Sequence, residues 1–147
     1  MYMPGVACLL ERDAAESVNS LSVQPESENL YLPSSITSDI HPSCCIVDLP
    51  SMECQICLGQ ANDTLNEVHH QLCVTSSIIQ FTQGQHQASQ QLSCKLKALI
   101  AKFNVKTQHA AECYIVAHNA LCSLDPQGTW ANHLKPLDVS KDLHLPQ

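Results

Sequence analysis

Positive charge is scarce in this 147-residue sequence: Arg12 is the only arginine, and lysines make up the rest of the seven basic residues. Asp and Glu number 14, and the formal net charge is −7. A chain with this balance gains little counterion-release energy from a phosphate backbone, which repels it at long range. We therefore expect the chain alone not to bind nucleic acid.

Aromatic residues and long apolar runs are also scarce. Because aromatics make up only 4% of the sequence, a core must be built from Leu, Ile, Val, Ala and Cys, a mixture that favours helical packing over a sandwich or barrel. No stretch approaches the roughly 18 apolar residues that a membrane span requires. We expect an all-α fold and no membrane span.

The first residues lack the pattern of a secretory signal peptide. The apolar run "GVACLL" follows no basic segment and is interrupted by Glu11, Arg12 and Asp13. The nine cysteines are odd in number, so at least one thiol stays unpaired even under oxidation. We expect an intracellular protein whose thiols are mostly reduced.

Proline is absent between Pro50 and Pro126, as a long helical region requires, because an interior proline costs about 3 kcal/mol. This region predicts a long, coiled-coil-like antiparallel two-helix hairpin over 48–124, with helix one at about 51–82 and helix two at about 88–124. Residues 1–47 show no persistent period and predict a largely irregular or extended segment. Residues 125–147 predict a turn, a short C-terminal helix at about 129–135 and a tail.

Apolar residues recur in alternating steps of four and three along both predicted helices, the spacing of a helix that packs along another helix. The series runs from Cys54 to Ile79 in helix one. In helix two it runs from Leu92 to Leu124 and passes through Lys106 and Cys113. The large apolar members of this predicted helix seam are Leu58, Leu65, Val68, Leu72, Ile79, Leu92, Leu96, Leu99, Phe103 and Leu124.

Helix one also contains a candidate zinc site, because Cys54, Cys57, His70 and Cys73 have the ligand types and spacing of a zinc finger. Zinc binding needs a chain reversal between Cys57 and His70, whereas the intervening residues keep the helical period. On one straight helix these two side chains are about 20 Å apart, too far for one ion. The zinc site and the helix therefore exclude each other. The simplest interpretation of the cysteines is that they serve as small apolar residues.

Four segments carry a resemblance to a known family: "YLPSSI", "CCIVDL", "ANDTLNEVHHQL" and "LIAKFNVKTQHAAECYIVAHNALCSLDPQGTWANHLKPLDVSKDL". Together they resemble the C-terminal helical region of fungal transposon proteins of the Kyakuja, Dileera and Zisupton (KDZ) type. The match covers most of the chain in order and consists of scattered identities rather than a catalytic motif. In that family the catalytic ribonuclease-H-like core lies upstream of the matched region, so the resemblance carries no catalytic residue onto this sequence.

One kind of codon change accounts for the positions where the sequence departs from the family pattern. Codons for arginine that begin with CG become cysteine, histidine or glutamine codons by a single C-to-T change on one strand or the other. Decay of such codons would leave few arginines and many cysteines and histidines, as in this chain, and would produce "CQIC" without any metal. The positions where the family pattern has arginine are His69, His70, His109, Cys113, His118 and His133.

The resemblance therefore implies a degenerate, non-catalytic transposase remnant that is not an enzyme and binds no cofactor. Its expected activity is helix pairing, either with itself or with a related transposase chain, through the helix seams. A nuclear location follows from the resemblance alone. The alternative function is a small zinc-binding interaction module built on Cys54, Cys57, His70 and Cys73, whose folding depends on metal.

Overall fold

The computed structural model describes residues 3, 5, 31–36, 38–84 and 90–143, with backbone only at 40, 83–84 and 90–93. Two long α-helices dominate it: α2 at Leu49–Gly84 and α3 at Gln90–Leu124. Short α-helices lie at His41–Cys44 (α1) and Val139–Asp142 (α4). Three 3₁₀ turns lie at Pro33–Ser35, Ser38–Ile40 and Thr129–Asn132. Within these described ranges no strand is present, so the predicted all-α hairpin is confirmed.

Local sequence explains where the two long helices begin and end. Helix α2 begins two residues before the predicted position, and Pro50 lies in its first turn, where the missing N–H removes no helical hydrogen bond. Helix α3 ends at Leu124, immediately before "DPQG". The predicted short helix at 129–135 is instead a 3₁₀ turn that ends at Asn132. The prediction for 1–47 falls largely outside the described residues.

The helices α2 and α3 pack against each other along two buried clusters. The first cluster contains Ala61 of α2 with Tyr114 and Leu121 of α3. The second contains Val68 of α2 with Ala110 and Ala111 of α3. Small residues dominate the α3 side, so the two backbones can approach closely, and the two clusters fix the antiparallel register of the hairpin.

The segment after α3 returns along the hairpin and covers its packed face. Trp130 and Leu134 are buried in the first cluster, while Val139 and Leu143 pack against the second. Leu137 contacts both clusters. This C-terminal cover, defined as residues 129–143, makes the buried face wider than a two-helix seam.

A strap formed by residues 33–36 and His41 lies across the end of the hairpin where α2 begins and α3 ends. The backbone N–H of Ser34 donates to Glu53 Oε2 at 3.0 Å, its hydroxyl donates to Glu53 Oε1, and the Ser123 hydroxyl donates to the Ser34 carbonyl at 3.0 Å. His41 Nε2 donates to the carbonyls of Pro33 and Ile36 at 2.8 and 3.1 Å. The bonds of Ser34 join the strap to both long helices, and those of His41 hold the strap together.

The predicted helix seam matches the packed face of α2 more closely than that of α3. Val68 is 2% exposed, and Leu58, Leu65, Leu72 and Ile79 are half-buried. In α3, Leu96, Phe103 and Leu124 are half-buried, but Leu99 is 40% exposed and Lys106 is exposed. The side chain of Leu92 lies outside the described residues. The buried positions of α3 are Thr107, Ala110, Ala111, Tyr114, Ala117 and Leu121.

The departure in α3 has a physical cause. Thr107, Ala111, Tyr114 and Leu121 each lie one residue beyond a predicted seam position, a rotation of about 100° around the helix. The C-terminal cover packs into the clusters that contain Ala111, Tyr114 and Leu121. Seam spacing alone describes a face shared with one partner helix.

Candidate functional site

The end of the hairpin nearest the strap is occupied by internal contacts. Trp130 Nε1 donates to the Asp125 carbonyl at 3.0 Å, and the Tyr114 hydroxyl donates to the Lys135 carbonyl at 2.6 Å. The ring of His118 meets the Trp130 indole edge-on at 5.4 Å between centroids. Burial, and then the nearby Cys122 thiol, raise the pKa of Tyr114, so its hydroxyl stays a hydrogen-bond donor. These groups serve the packing of the C-terminal cover.

The opposite end of the hairpin is left uncovered by the described segments. We define the tip as residues 70–84 of α2 and 90–107 of α3. In the two core clusters that the C-terminal cover joins, Leu72 is the α2 residue farthest along the helix. Beyond it lies an open groove of about 480 Å³, lined by His70, Cys73, Val74, Ser77, Ile78, Phe81 and Leu96. Phe81 is 55% exposed at the far end of this groove.

A buried polar layer lies at the base of the tip, next to the covered half. The hydroxyl of Thr75 donates to the Gln71 carbonyl at 2.8 Å, and that of Thr107 donates to the Phe103 carbonyl at 2.9 Å. Gln71 is 6% exposed; its amide Nε2 donates to Glu67, and its Oε1 has no hydrogen-bond partner. A polar residue at such a position fixes register at a cost in stability, so the layer weakens helix pairing towards the tip.

The charge of the tip is opposite to that of the whole chain. Between Val68 and Ala111 the sequence contains no Asp or Glu, although it contains four of the lysines. Lys95, Lys97, Lys102 and Lys106 are all exposed. In the part of the chain that the structure describes, the only ion pair joins Lys141 to Asp138 at 3.1 Å. The tip is therefore a cationic surface with an apolar groove.

The structure does not bring the four candidate zinc ligands together. All four lie on the continuous helix α2, with Cys54 and Cys57 near the covered end and His70 and Cys73 at the tip groove. Thirteen residues of helix place Cys57 and His70 about 20 Å apart. Among the described residues, no three His, Cys, Asp or Glu side chains cluster in a way that could hold a metal.

Cys57 is buried in the first cluster and Cys54 is half-buried against it, so both behave as core residues. Burial is the main cause that raises the pKa of Cys57, followed by the charge of Glu53 and by Cys54. Burial also raises the pKa of Cys54, followed by the charges of Asp125 and Glu53. Because a thiolate is the nucleophile and the metal ligand, neutral thiols in these positions contribute packing.

Two groups of residues were missed by the sequence reasoning. His109 Nε2 lies 3.9 Å from Cys113 Sγ, and His118 Nδ1 lies 3.7 Å from Cys122 Sγ, each pair four residues apart on α3. Each pair supplies only two of the four ligands of a structural zinc site. The lysines of the tip were missed because the net charge of the whole chain concealed their separation from the acidic residues. The sequence feature that could have revealed them is the run without Asp or Glu between Val68 and Ala111.

A scan of protein-family models and searches of curated proteins and of solved structures found no match to this chain. In the described ranges, no helix combines the length and apolarity needed to cross a bilayer. The exposed groove and the lysines of the tip are the surface features on which the proposed function rests.

Proposed function

We propose that this chain is a non-catalytic protein-interaction hairpin, whose tip pairs with another helical chain. The observation that carries the proposal is the open groove at the tip, where Phe81 and Leu96 lie beyond the C-terminal cover, with the exposed Leu99 one turn along α3. A second helical chain in this groove would bury these side chains, each worth about 1.5–3 kcal/mol when fully removed from water.

The proposed origin is the C-terminal helical region of a KDZ-type transposase. The support is the ordered series of segments from "YLPSSI" to "LDVSKDL", which spans the hairpin and its C-terminal cover. In this proposal the chain has no catalytic role, binds no cofactor and resides in the nucleus. Its partner is a second copy or the matching helical region of a related transposase.

The test is association of the purified, reduced full-length chain, measured by sedimentation equilibrium over a range of concentrations. The substitutions Phe81→Glu and Leu99→Glu, made together, place charge on the exposed side chains of the tip without entering a buried cluster. We expect the double variant to keep its helicity by circular dichroism and to associate at least tenfold more weakly, or about 1.4 kcal/mol.

The matched control is Val116→Glu, because Val116 is an exposed apolar residue of α3 outside the tip. This variant should associate as the unmodified chain does. Equal association of all three chains would contradict the proposal. So would a chain that neither self-associates nor binds the matching region of a related transposase.

A further inference from the structure

Three lysines of the tip form a stripe along one side of α3. Lys95, Lys102 and Lys106 are separated by seven and four residues, so they fall within about 40° of one another around the helix and span about 17 Å. Leu99 lies about 20° beyond this arc, next to Lys106, and all four side chains are exposed. Lys106 also lies over the Phe103 ring, with Nζ 5.8 Å from its centroid. We call Lys95, Leu99, Lys102 and Lys106 the lysine stripe.

The matching surface lies on α2 of the same chain. Asp63 and Glu67 are exposed and four residues apart, the spacing that separates Lys102 from Lys106. Ile56, seven residues before Asp63, lies on the same side of α2 and is 67% exposed. Neither carboxylate forms an ion pair in the described part of the chain. Ile56, Asp63 and Glu67 form the acidic stripe.

The two stripes lie on the two helices that form the tip groove. Val74 and Phe81 continue the line of Asp63 and Glu67 along α2, at intervals of seven residues. Leu96 adjoins Lys95 on α3. Val74, Phe81 and Leu96 line this groove, so one partner that covers it also reaches the helices that carry both stripes.

The register of the hairpin makes this face self-complementary. Since Val68 packs with Ala110 and Ala111, Lys102 lies level with residues 76–77 of α2. Two copies placed antiparallel, with Lys102 and Lys106 of each against Asp63 and Glu67 of the other, repeat the same pairing twice around a two-fold axis near His70. The same placement brings Ile56 within one helical turn of Phe81 in the second copy.

We propose that the chain forms an antiparallel two-fold dimer in which the lysine stripe of each copy pairs with the acidic stripe of the other and the tip grooves are covered. The proposal rests on the proposed interaction function and names its partner and surface. Isologous pairing of one surface is the commonest form of homodimer. Charge complementarity favours a second copy over nucleic acid, because the face carries both stripes and the chain as a whole has a net charge of −7.

A charge exchange tests this pairing. One variant carries Lys102→Glu and Lys106→Glu, and the other carries Asp63→Lys and Glu67→Lys. Each variant alone places like charges at both copies of the contact, so we expect its homodimer to dissociate about tenfold more readily at low salt. In an equimolar mixture each lysine pair again meets an acidic pair, so sedimentation equilibrium should show a heterodimer as tight as the unmodified homodimer.

The control variants carry Lys97→Glu, off the lysine stripe of α3, or Glu112→Lys, off the acidic stripe. Both residues are exposed, and both variants should dimerise normally. Dimerisation that is unchanged in every charge variant but is lost in the Phe81→Glu and Leu99→Glu double variant would overturn this pairing. The proposed interaction function would still hold in that case. A chain that stays monomeric and binds a 20-base-pair DNA duplex through Lys102 and Lys106 would also overturn it.

Discussion

Gly59 is the residue whose replacement gives the simplest stability test. It lies inside α2 and is exposed, and a Cβ atom added there meets nothing within 4 Å. Alanine removes conformational freedom from the unfolded chain and favours the helix by about 0.5–1 kcal/mol. We expect Gly59→Ala to raise the denaturant midpoint without changing the slope of the transition. A lowered midpoint would show that the helix is not continuous at this position, as the zinc interpretation requires.

Whether a polar residue of the helices is buried depends on its neighbours in the fold, which sequence spacing does not specify. Thr75 occupies a predicted seam position and is fully buried, with its hydroxyl bonded within its own helix. Gln71 is buried although it lies off the predicted series. A hydroxyl that returns to its own backbone can enter a core at little penalty. The unpartnered oxygen of Gln71 has no such compensation.

At the scale of elements, the C-terminal cover depends on the turn at Gly128. A Cβ atom at this position would overlap the Asp125 carboxylate and the Trp130 indole. Gly128→Ala should therefore displace Trp130 from the first cluster and lower stability by about 1–3 kcal/mol. The measurement is the emission of the sole tryptophan, which should shift to longer wavelength, together with the denaturant midpoint.

Helicity gives the control for this variant. The α2 and α3 contact does not pass through Gly128, so circular dichroism at low temperature should change little in Gly128→Ala. Unchanged tryptophan emission together with an unchanged midpoint would contradict the account of the cover. Gly59→Ala, made in parallel, should move the midpoint in the opposite direction.

The two long helices were predictable from the sequence, and the face of α3 was only partly so. The proline-free run and the four-and-three spacing indicated both helices and placed Ala61, Val68, Ala110 and Ala117 on packed faces. Tyr114 and Leu121 are more deeply buried than the residues one position earlier. The same period also fits a face of α3 that is rotated by one residue. The contacts of Trp130, Leu134 and Leu137 decide which of these two faces is buried.

At the scale of the whole molecule, metal dependence separates the hairpin from the alternative zinc module. The continuous helix α2 needs no ion to bring its residues together, because its buried face is held by α3 and the C-terminal cover. We expect circular dichroism and the thermal midpoint of the reduced chain to stay the same when a strong zinc chelator is added. Structural zinc supplies folding free energy directly, so a chelator-induced loss of helicity with about one zinc per chain would establish the zinc module.

The sequence by itself determined the all-α class, the two long helices and the separation of lysines from acidic residues, because helix period, proline and charge act through neighbours along the chain. Only the tertiary structure decided which side of α3 is buried, how the last fifteen described residues cover one half of the hairpin, and that no described segment covers the tip. These features depend on clusters of residues far apart in sequence, such as the one that contains Cys57 and Trp130 and the one in which Leu143 packs with Val68, Ala110 and Ala111. Helical spacing does not encode them.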